Sequence, residues 1–528
     1  MVKIMNNTRQ ITSPYLRRAI RCTLALAALL CAGCTVGPKY HQPAATPQAP
    51  PMSYKETPAQ NPKNSGDWKI AQPQDAMLHG KWWEIYNDAE LNSLEDQLNI
   101  NNQNIKQYFE NFMEARTLIA QARSQLFPTV SVGPSYQISR SSANVRGGTT
   151  TIATSSGSGS SATTTTPNYH STLISLPAEV TWEPDLWGKV RNTIHEAQYN
   201  AQLSAADLEI ERLTEQASLA MFFFELRGQD AVQKVLDDTV AADEKSVELS
   251  RARYETGVDD QISLVEAQNA LDNAQAAATN LGIARAQYEH AIAVLIGTTP
   301  SNFSIPAKPL DAAPPAIPVG VPSQLLERRP DIAAAERNMA AANAQIGVVT
   351  AAYYPTLTLS GSAGFESSAL KNLLTWPSRF WSVGPSVSET IFDAGLRSAT
   401  VKQYVAVYNA DVASYRQTVL TAFQQVEDYL AATRILSKQI EQQQTAVNSA
   451  QQYLDLARAR YETGVDTYLN VLVAQTTLLA DQQSLANLHT QVMTSSVQLV
   501  EALGGGWDRS QLPSPAQVSE KVSISKTN

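Results

Sequence analysis

The side chains that most often do chemistry are sparse in these 528 residues and poorly spaced for it. Six histidines (His41, His79, His170, His195, His290 and His489) are scattered, with no HExxH or comparable ligand spacing. There is no phosphate-cradling GxxxxGK and no GxSxG nucleophile turn. The methionines do not cluster, which argues against a soft-metal relay. Arg328-Arg329-Pro330-Asp331 has the look of an active motif. A simpler account suffices: proline suits the first turn of a helix, and the aspartate complements its positive end. No catalytic residue, metal site or cofactor is expected. The formal charge of −9 supplies no basic face for nucleic acid.

The cysteines do point to chemistry. All three (Cys22, Cys31, Cys34) lie near the start of the chain. Arg17, Arg18 and Arg21 precede an apolar run at 23–31, and Ala32 and Gly33 then lead to Cys34. A basic region, a short apolar run and a small-residue site make a secretory signal. The run is far shorter than the roughly 20 residues of a membrane-spanning helix. Leu-Cys-Ala-Gly-Cys at 30–34 resembles a bacterial lipoprotein signal, although Cys31 stands where leucine is usual. In such signals the last cysteine is lipidated and becomes the mature N-terminus. Cys34 is therefore the expected lipid-attachment site, and Thr35 after it, in place of aspartate, implies the outer membrane. A mature chain with one cysteine has no disulfide framework.

The elements that would follow are set by a repeat. RARYETGVD occurs at 251–259 and again at 458–466, 207 positions on, so the chain reads as a duplicated unit. Each copy sets a lone glycine, Gly257 or Gly464, inside a long proline-free stretch rich in Ala, Gln, Leu and Glu. The stretch from Gly188 to Gly257 predicts a helix of about 100 Å. The sparse apolar stripes predict coiled-coil-like packing, and the glycines predict C-caps where each helix reverses. Ahead of each hairpin the pattern alternates, at 128–138, 172–182, 355–365 and 380–392. These are runs of about the 9–11 residues of a tilted transmembrane strand, apolar on one face and polar on the other.

Four strands cannot span lipid alone, because an open sheet leaves its edges unsatisfied. Two copies would give eight strands and three would give twelve. The predicted divisions are a signal peptide at 1–33, a lipidated, Pro-rich tether at 34–66 and a first repeat at 67–298. A linker at 299–322 with seven prolines, a second repeat at 323–503 and a tail at 504–528 complete the chain. The Ser/Thr/Gly-rich tract within 139–167 predicts a long loop between two strands. Trp376 and Trp381 are candidate interfacial anchors, whereas Trp82 and Trp83 fit core packing better.

CTVGPKYHQP at 34–43, WWEIYNDAELNSL at 82–94, LLERRPDIAAAE at 325–336, AANAQIGVVTAAYYPTLTLSG at 341–361, both RARYETGV segments and ALGGGW at 502–507 occur in one order. In these the chain resembles the outer-membrane factors, the TolC-like channels, and specifically their NodT-type lipoprotein branch. The resemblance implies an α+β membrane protein: a homotrimeric 12-stranded β-barrel continued by a 12-helix periplasmic α-barrel. It also implies a periplasmic adaptor (membrane fusion protein) and an inner-membrane RND-type transporter as partners. On that basis the hairpin tips are expected to dock the adaptor through Arg251, Arg253, Tyr254, Gly257, Val258 and Asp259, and through Arg458, Arg460, Tyr461, Gly464, Val465 and Asp466. The expected periplasmic gate comprises Asp260, Ser263, Leu469, Asn470 and Val473. Where the family commonly carries carboxylates just past the second tip, this chain has Asn470 and Val473, so closure there is expected to be steric. The expected function is a passive exit duct for small molecules. The alternatives are the duct of an ATP-driven protein secretion system and a lipid-anchored periplasmic helical scaffold without a pore.

Overall fold

The long helices occupy stretches free of internal proline and rich in alanine, glutamine and leucine. The computed structural model describes residues 35–46, 53–56, 80–140, 170–310, 313–317, 319 and 322–520. The first half runs through helices α1 (Ala89–Asn101) and α2 (Gln103–Ser124), strands β1 (Thr129–Val132), β2 (Ser135–Arg140) and β3 (His170–Trp182), and helices α3 (Lys189–Glu255) and α4 (Gln261–Leu295). The second half repeats the plan with α5 (Pro330–Thr350), β4 (Thr356–Ser367), β5 (Arg379–Ser388), α6 (Leu396–Glu462) and α7 (Tyr468–Ala502). Corresponding helices match in length: α3 and α6 have 67 residues each, α4 and α7 have 35 each. The duplication seen in nine residues extends through both helical hairpins. Among the described residues no helix is long and apolar enough to cross a membrane.

Two compact units are present. One comprises Leu118–Glu196, Asn343–Ala406 and the segment 35–40, and it holds the sheet. Its strands are antiparallel in the order β1–β3–β4–β5, with β2 also on β3. The register carries the alternation across the whole sheet. Val130, Val180, Gly361 and Val383 stand opposite one another, as do Val132, Ala178, Ala363 and Trp381. The intervening row is Ser131, Glu179, Ser362 and Ser382. Because successive side chains point to opposite faces, one face is apolar and the other polar. Trp381 and Val383 are more than three-quarters exposed on that apolar face. The outer edges of β1, β2 and β5 have no strand partner among the described residues.

Two expected strands differ in extent. The run at 128–138 is broken because Pro134 lacks an N–H, as does Pro177 on the opposing strand. The ladder lapses there, leaving a single bond from the Gly133 N–H to the Pro177 carbonyl at 3.3 Å. The run at 380–392 stops at Ser388, which pairs with Thr356, since Pro355 next to it offers no donor. Beyond it Asp393 starts α6, accepting from the Gly395 N–H at 3.0 Å and from Arg397 Nε at 2.6 Å.

The stretch after Cys34 is held in the same unit. The Val36 N–H donates to the Trp187 carbonyl at 3.0 Å, and Asn192 Nδ2 to the Val36 carbonyl at 3.1 Å. Gly37 has φ +113°, and a Cβ there would lie 2.5 Å from Gly347 Cα. Cys34 itself, the signal at 1–33 and most of the long loop lie outside the described residues.

The second unit comprises His41–Thr117, Ala197–Ala342 and the chain from Val407 onward. Its main core gathers Trp82, Trp83, Leu91, Leu98, Phe223, Phe224, Ile292 and Val497. The tryptophan pair is therefore core, and Trp376 and Trp381 are the exposed ones. Described residues of the linker, the tether and the tail are laid along helices. Arg285 bridges Asp230 at 2.7 Å and the Ile305 carbonyl at 2.7 Å, and Arg227 Nη1 reaches the Pro306 carbonyl at 2.7 Å, strapping down the linker. In the tether, the Lys55 N–H donates to Glu427 at 2.8 Å. In the tail, Gln202 Nε2 donates to the Pro513 carbonyl at 2.8 Å. Pro330 opens α5 and Asp331 lies in its first turn. Arg329 forks onto Asp331 and donates to the Ala502 carbonyl at 2.9 Å, at the end of α7. The Arg-Arg-Pro-Asp run is thus a helix start tied to a helix end.

Candidate functional site

Both tips are built alike, because the same nine residues close the same turn. Gly257 and Gly464 have φ +72° and +75°, the left-handed region that glycine enters without strain. The following N–H groups fold back: Val258 to the Arg253 carbonyl at 2.9 Å, and Val465 to the Arg460 carbonyl at 2.9 Å. With bonds from Gly257 to Tyr254 and Gly464 to Tyr461, each tip is a Schellman C-cap. The next aspartate then fixes the outgoing chain. Asp259 accepts from the Asp260 N–H at 2.9 Å and from Ser263 Oγ at 3.1 Å. Asp466 accepts from the Thr467 N–H at 2.9 Å and from Asn470 Nδ2 at 2.5 Å.

The two tips of one chain are also bonded to each other. Tyr461 Oη donates to Asp259 Oδ2 at 2.7 Å and lies 3.3 Å from Ser250 Oγ. The Arg253 guanidinium stacks over the Tyr461 ring at 4.7 Å and donates to the Glu462 carbonyl at 3.1 Å. Tyr461 meets Tyr468 edge-on, with ring centroids 5.4 Å apart, in a cluster with Val247, Leu271, Leu454 and Leu478. Partial desolvation opposes ionisation of Asp259, but the bonds from Tyr461, Asp260 and Ser263 and the Arg253 charge hold its carboxyl below the usual range. Desolvation and the adjacent Asp259 push the Tyr461 hydroxyl up, against the bond from Ser250.

Of the expected docking residues, Arg251, Tyr254, Gly257, Val258, Arg460, Gly464 and Val465 are exposed. Arg253, Asp259, Arg458 and Asp466 are half-buried, and Tyr461 is only 2% exposed. Of the gate residues, Asp260 is the N-cap of α4 and Ser263 is buried beneath it. Leu469 and Val473, one turn apart on α7, present an exposed apolar pair.

One feature of the site left no mark in the sequence. Behind the tips, α3, α4 and α7 line a half-open cavity of about 490 Å³ bordered by Asp243, Asn269, Asn273, Leu472, Gln475 and Thr476. Burial pushes the Asp243 carboxyl up to about 6, opposed by Arg458 and by the bond from Gln475 Nε2 at 3.1 Å. Among the described residues no group of three histidine, cysteine or acidic side chains is placed to hold a metal.

A sheet with one apolar and one polar face, together with twin helical hairpins closed by matching tips, defines the class of the outer-membrane channel subunit. The chain belongs to the outer membrane efflux protein family, whose model matches residues 94–298 and 321–505. It is 31% identical to the toluene efflux pump outer membrane protein TtgC of Pseudomonas putida over 489 residues, 92% of this chain and 95% of that protein. It is 30% identical to the outer membrane protein OprJ of Pseudomonas aeruginosa over 493 residues, 92% of this chain and 95% of that protein. Among solved structures it is similar to the outer-membrane channel OprN, at 27% identity and a TM-score of 0.76, covering 90% of this chain and all of that one. The outer membrane protein VceC of Vibrio cholerae gives 26% and 0.71, over 81% of this chain and 99% of that chain. The protein is thus an outer-membrane component of an efflux system.

Proposed function

We propose that three copies associate into a passive duct across the outer membrane. The duct discharges small molecules (drugs, toxic compounds or metal ions) delivered by an inner-membrane RND-type pump through a periplasmic adaptor. The observation that carries this reading is the sheet. Its apolar and polar rows run unbroken from β1 to β5, and among the described residues both edges are open. Lipid tolerates such a sheet only once copies close it, and three copies of four strand positions give a 12-stranded barrel. The chain itself catalyses nothing; the pump supplies the energy. Relatives named for toluene efflux favour apolar substrates and small-molecule export over protein secretion.

The tips fit the adaptor end. Val258 and Val465 are each about two-thirds exposed at matching turns, an apolar patch on both hairpins flanked by Gly257, Gly464 and Arg251. Arg253, Asp259 and Tyr461 fix the shape of that rim. Leu469 and Val473 narrow the passage, with Asn470 beside them, while Asp260 and Ser263 cap the helix that frames it. Lipid on Cys34 anchors the mature chain, in keeping with the bonds that hold Val36 to Trp187 and Asn192.

The test is the susceptibility of a deletion strain to solvents, antibiotics and metals, complemented with the natural gene or with Cys34→Ala. Loss of resistance restored by the natural gene supports the reading. Unchanged susceptibility across a broad panel would remove the efflux assignment.

A further inference from the structure

The two tips share most contacts of the final aspartate. Asp259 and Asp466 each bind the next N–H, at 2.9 Å in both cases. Each binds the side chain four residues on, Ser263 at 3.1 Å or Asn470 at 2.5 Å. Each faces the arginine six residues back, Arg253 at 3.6 Å or Arg460 at 3.2 Å. Asp259 has one further partner, Tyr461, which also lies under Arg253. Among the described residues no tyrosine reaches Asp466 in the same way. The Arg460 side chain is 60% exposed, and among the described residues no ring lies beneath it. Yet the repeat supplies a matching tyrosine: Tyr254 is the counterpart of Tyr461, and it is 43% exposed.

We propose that Tyr254 of each chain closes onto Arg460 and Asp466 of the neighbouring copy, repeating between subunits the contact that Tyr461 makes with Arg253 and Asp259 within one. The inference rests on the trimeric reading above. In a ring of three chains the first and second tips alternate. Every first tip then has a second tip on either side, one its own and one a neighbour's. The unused halves of the contact, a phenol on the first tip and an arginine–carboxylate pair on the second, are complementary in kind. A phenol donating to a carboxylate beneath a guanidinium combines a charge-assisted hydrogen bond with a cation–π contact. The same nine residues thereby serve one junction within the chain and one between chains, which gives a reason for their identity beyond forming a turn.

The test uses full-length, detergent-extracted protein carrying Tyr254→Cys and Asp466→Cys together. Each single substitution serves as a control, and Tyr461→Cys with Asp259→Cys serves as an intrachain control. Oxidation is expected to join chains into covalent dimers and trimers only when Tyr254→Cys and Asp466→Cys are both present. The intrachain pair should lose its thiols without gaining mass. A second measurement is the rate at which the trimer dissociates in detergent on heating. Tyr254→Phe and Asp466→Asn should each speed it at least about tenfold, since a chain leaving a ring of three breaks two such hydrogen bonds to a charged group, and combined they should speed it no further. If native mass measurement shows a trimer but the interchain pair never cross-links while the intrachain pair does, the proposal is overturned and the trimeric reading stands. Additive rate effects would overturn it as well. If the unmodified protein is not a trimer, the trimeric reading fails and this contact with it.

Discussion

At the scale of single residues, the repeat was legible and its asymmetry was not. Identical letters at 251–259 and 458–466 announce identical turns, and the caps at Gly257 and Gly464 are superimposable in their bonding. Nothing in those letters says that Tyr461 will be buried and Tyr254 exposed. That difference comes from what packs beside each tip, which a repeat cannot encode. Tyr461→Phe removes the hydrogen bond to Asp259 and leaves the ring under Arg253. It should cost about 1.5 kcal/mol locally, accelerating amide exchange across both tips roughly tenfold, as read by mass spectrometry. Asp243 likewise escapes the sequence, because only the fold buries it between α3 and α7. Its carboxyl is raised, to about 6, so the neutral form is the one the fold favours. The stability it contributes is complete below the ordinary carboxylate range and is lost as pH rises through about 6. Asp243→Asn should therefore be more stable than the natural protein at pH 7.5, by at most about 3 kcal/mol, and should lose that advantage near pH 4. Melting curves at the two pH values check the sign.

At the scale of elements, helix extents were almost fully legible, since proline, glycine and apolar spacing mark them. The stretch between Gly188 and Gly257 becomes α3, Lys189–Glu255. Strands were legible in their faces and less so in their ends. Pairing decides where a strand stops, and the prolines that stop it can lie on the partner, as Pro177 does for the first strand and Pro355 for the last. The proline-rich tether and linker were legible as connections, but the charged side chains on the helices that bind their described residues were not. Because both tip glycines lie at positive φ, Gly257→Ala and Gly464→Ala should each destabilise their hairpin by about 1–2 kcal/mol. Solvent exchange confined to the tips, with the rest of α3 and α6 protected as before, is the expected signature.

At the scale of the whole molecule, the apolar face of the sheet separates a membrane channel from a soluble scaffold. Val383 stands on the apolar row and Ser382 beside it on the polar row. Val383→Lys should cost about 2–4 kcal/mol of barrel stability if that row faces lipid, whereas Ser382→Lys should be tolerated. The yield of heat-modifiable trimer in outer-membrane fractions measures both. The central claim, that copies of this chain enclose a continuous passage, is tested most directly by ion conductance of the purified full-length protein in planar bilayers. Discrete, uniform conductance steps are predicted, with a larger opening once Tyr461→Phe loosens the tips. An absence of conductance in trimers of the natural protein and the loosened variant alike would contradict the account.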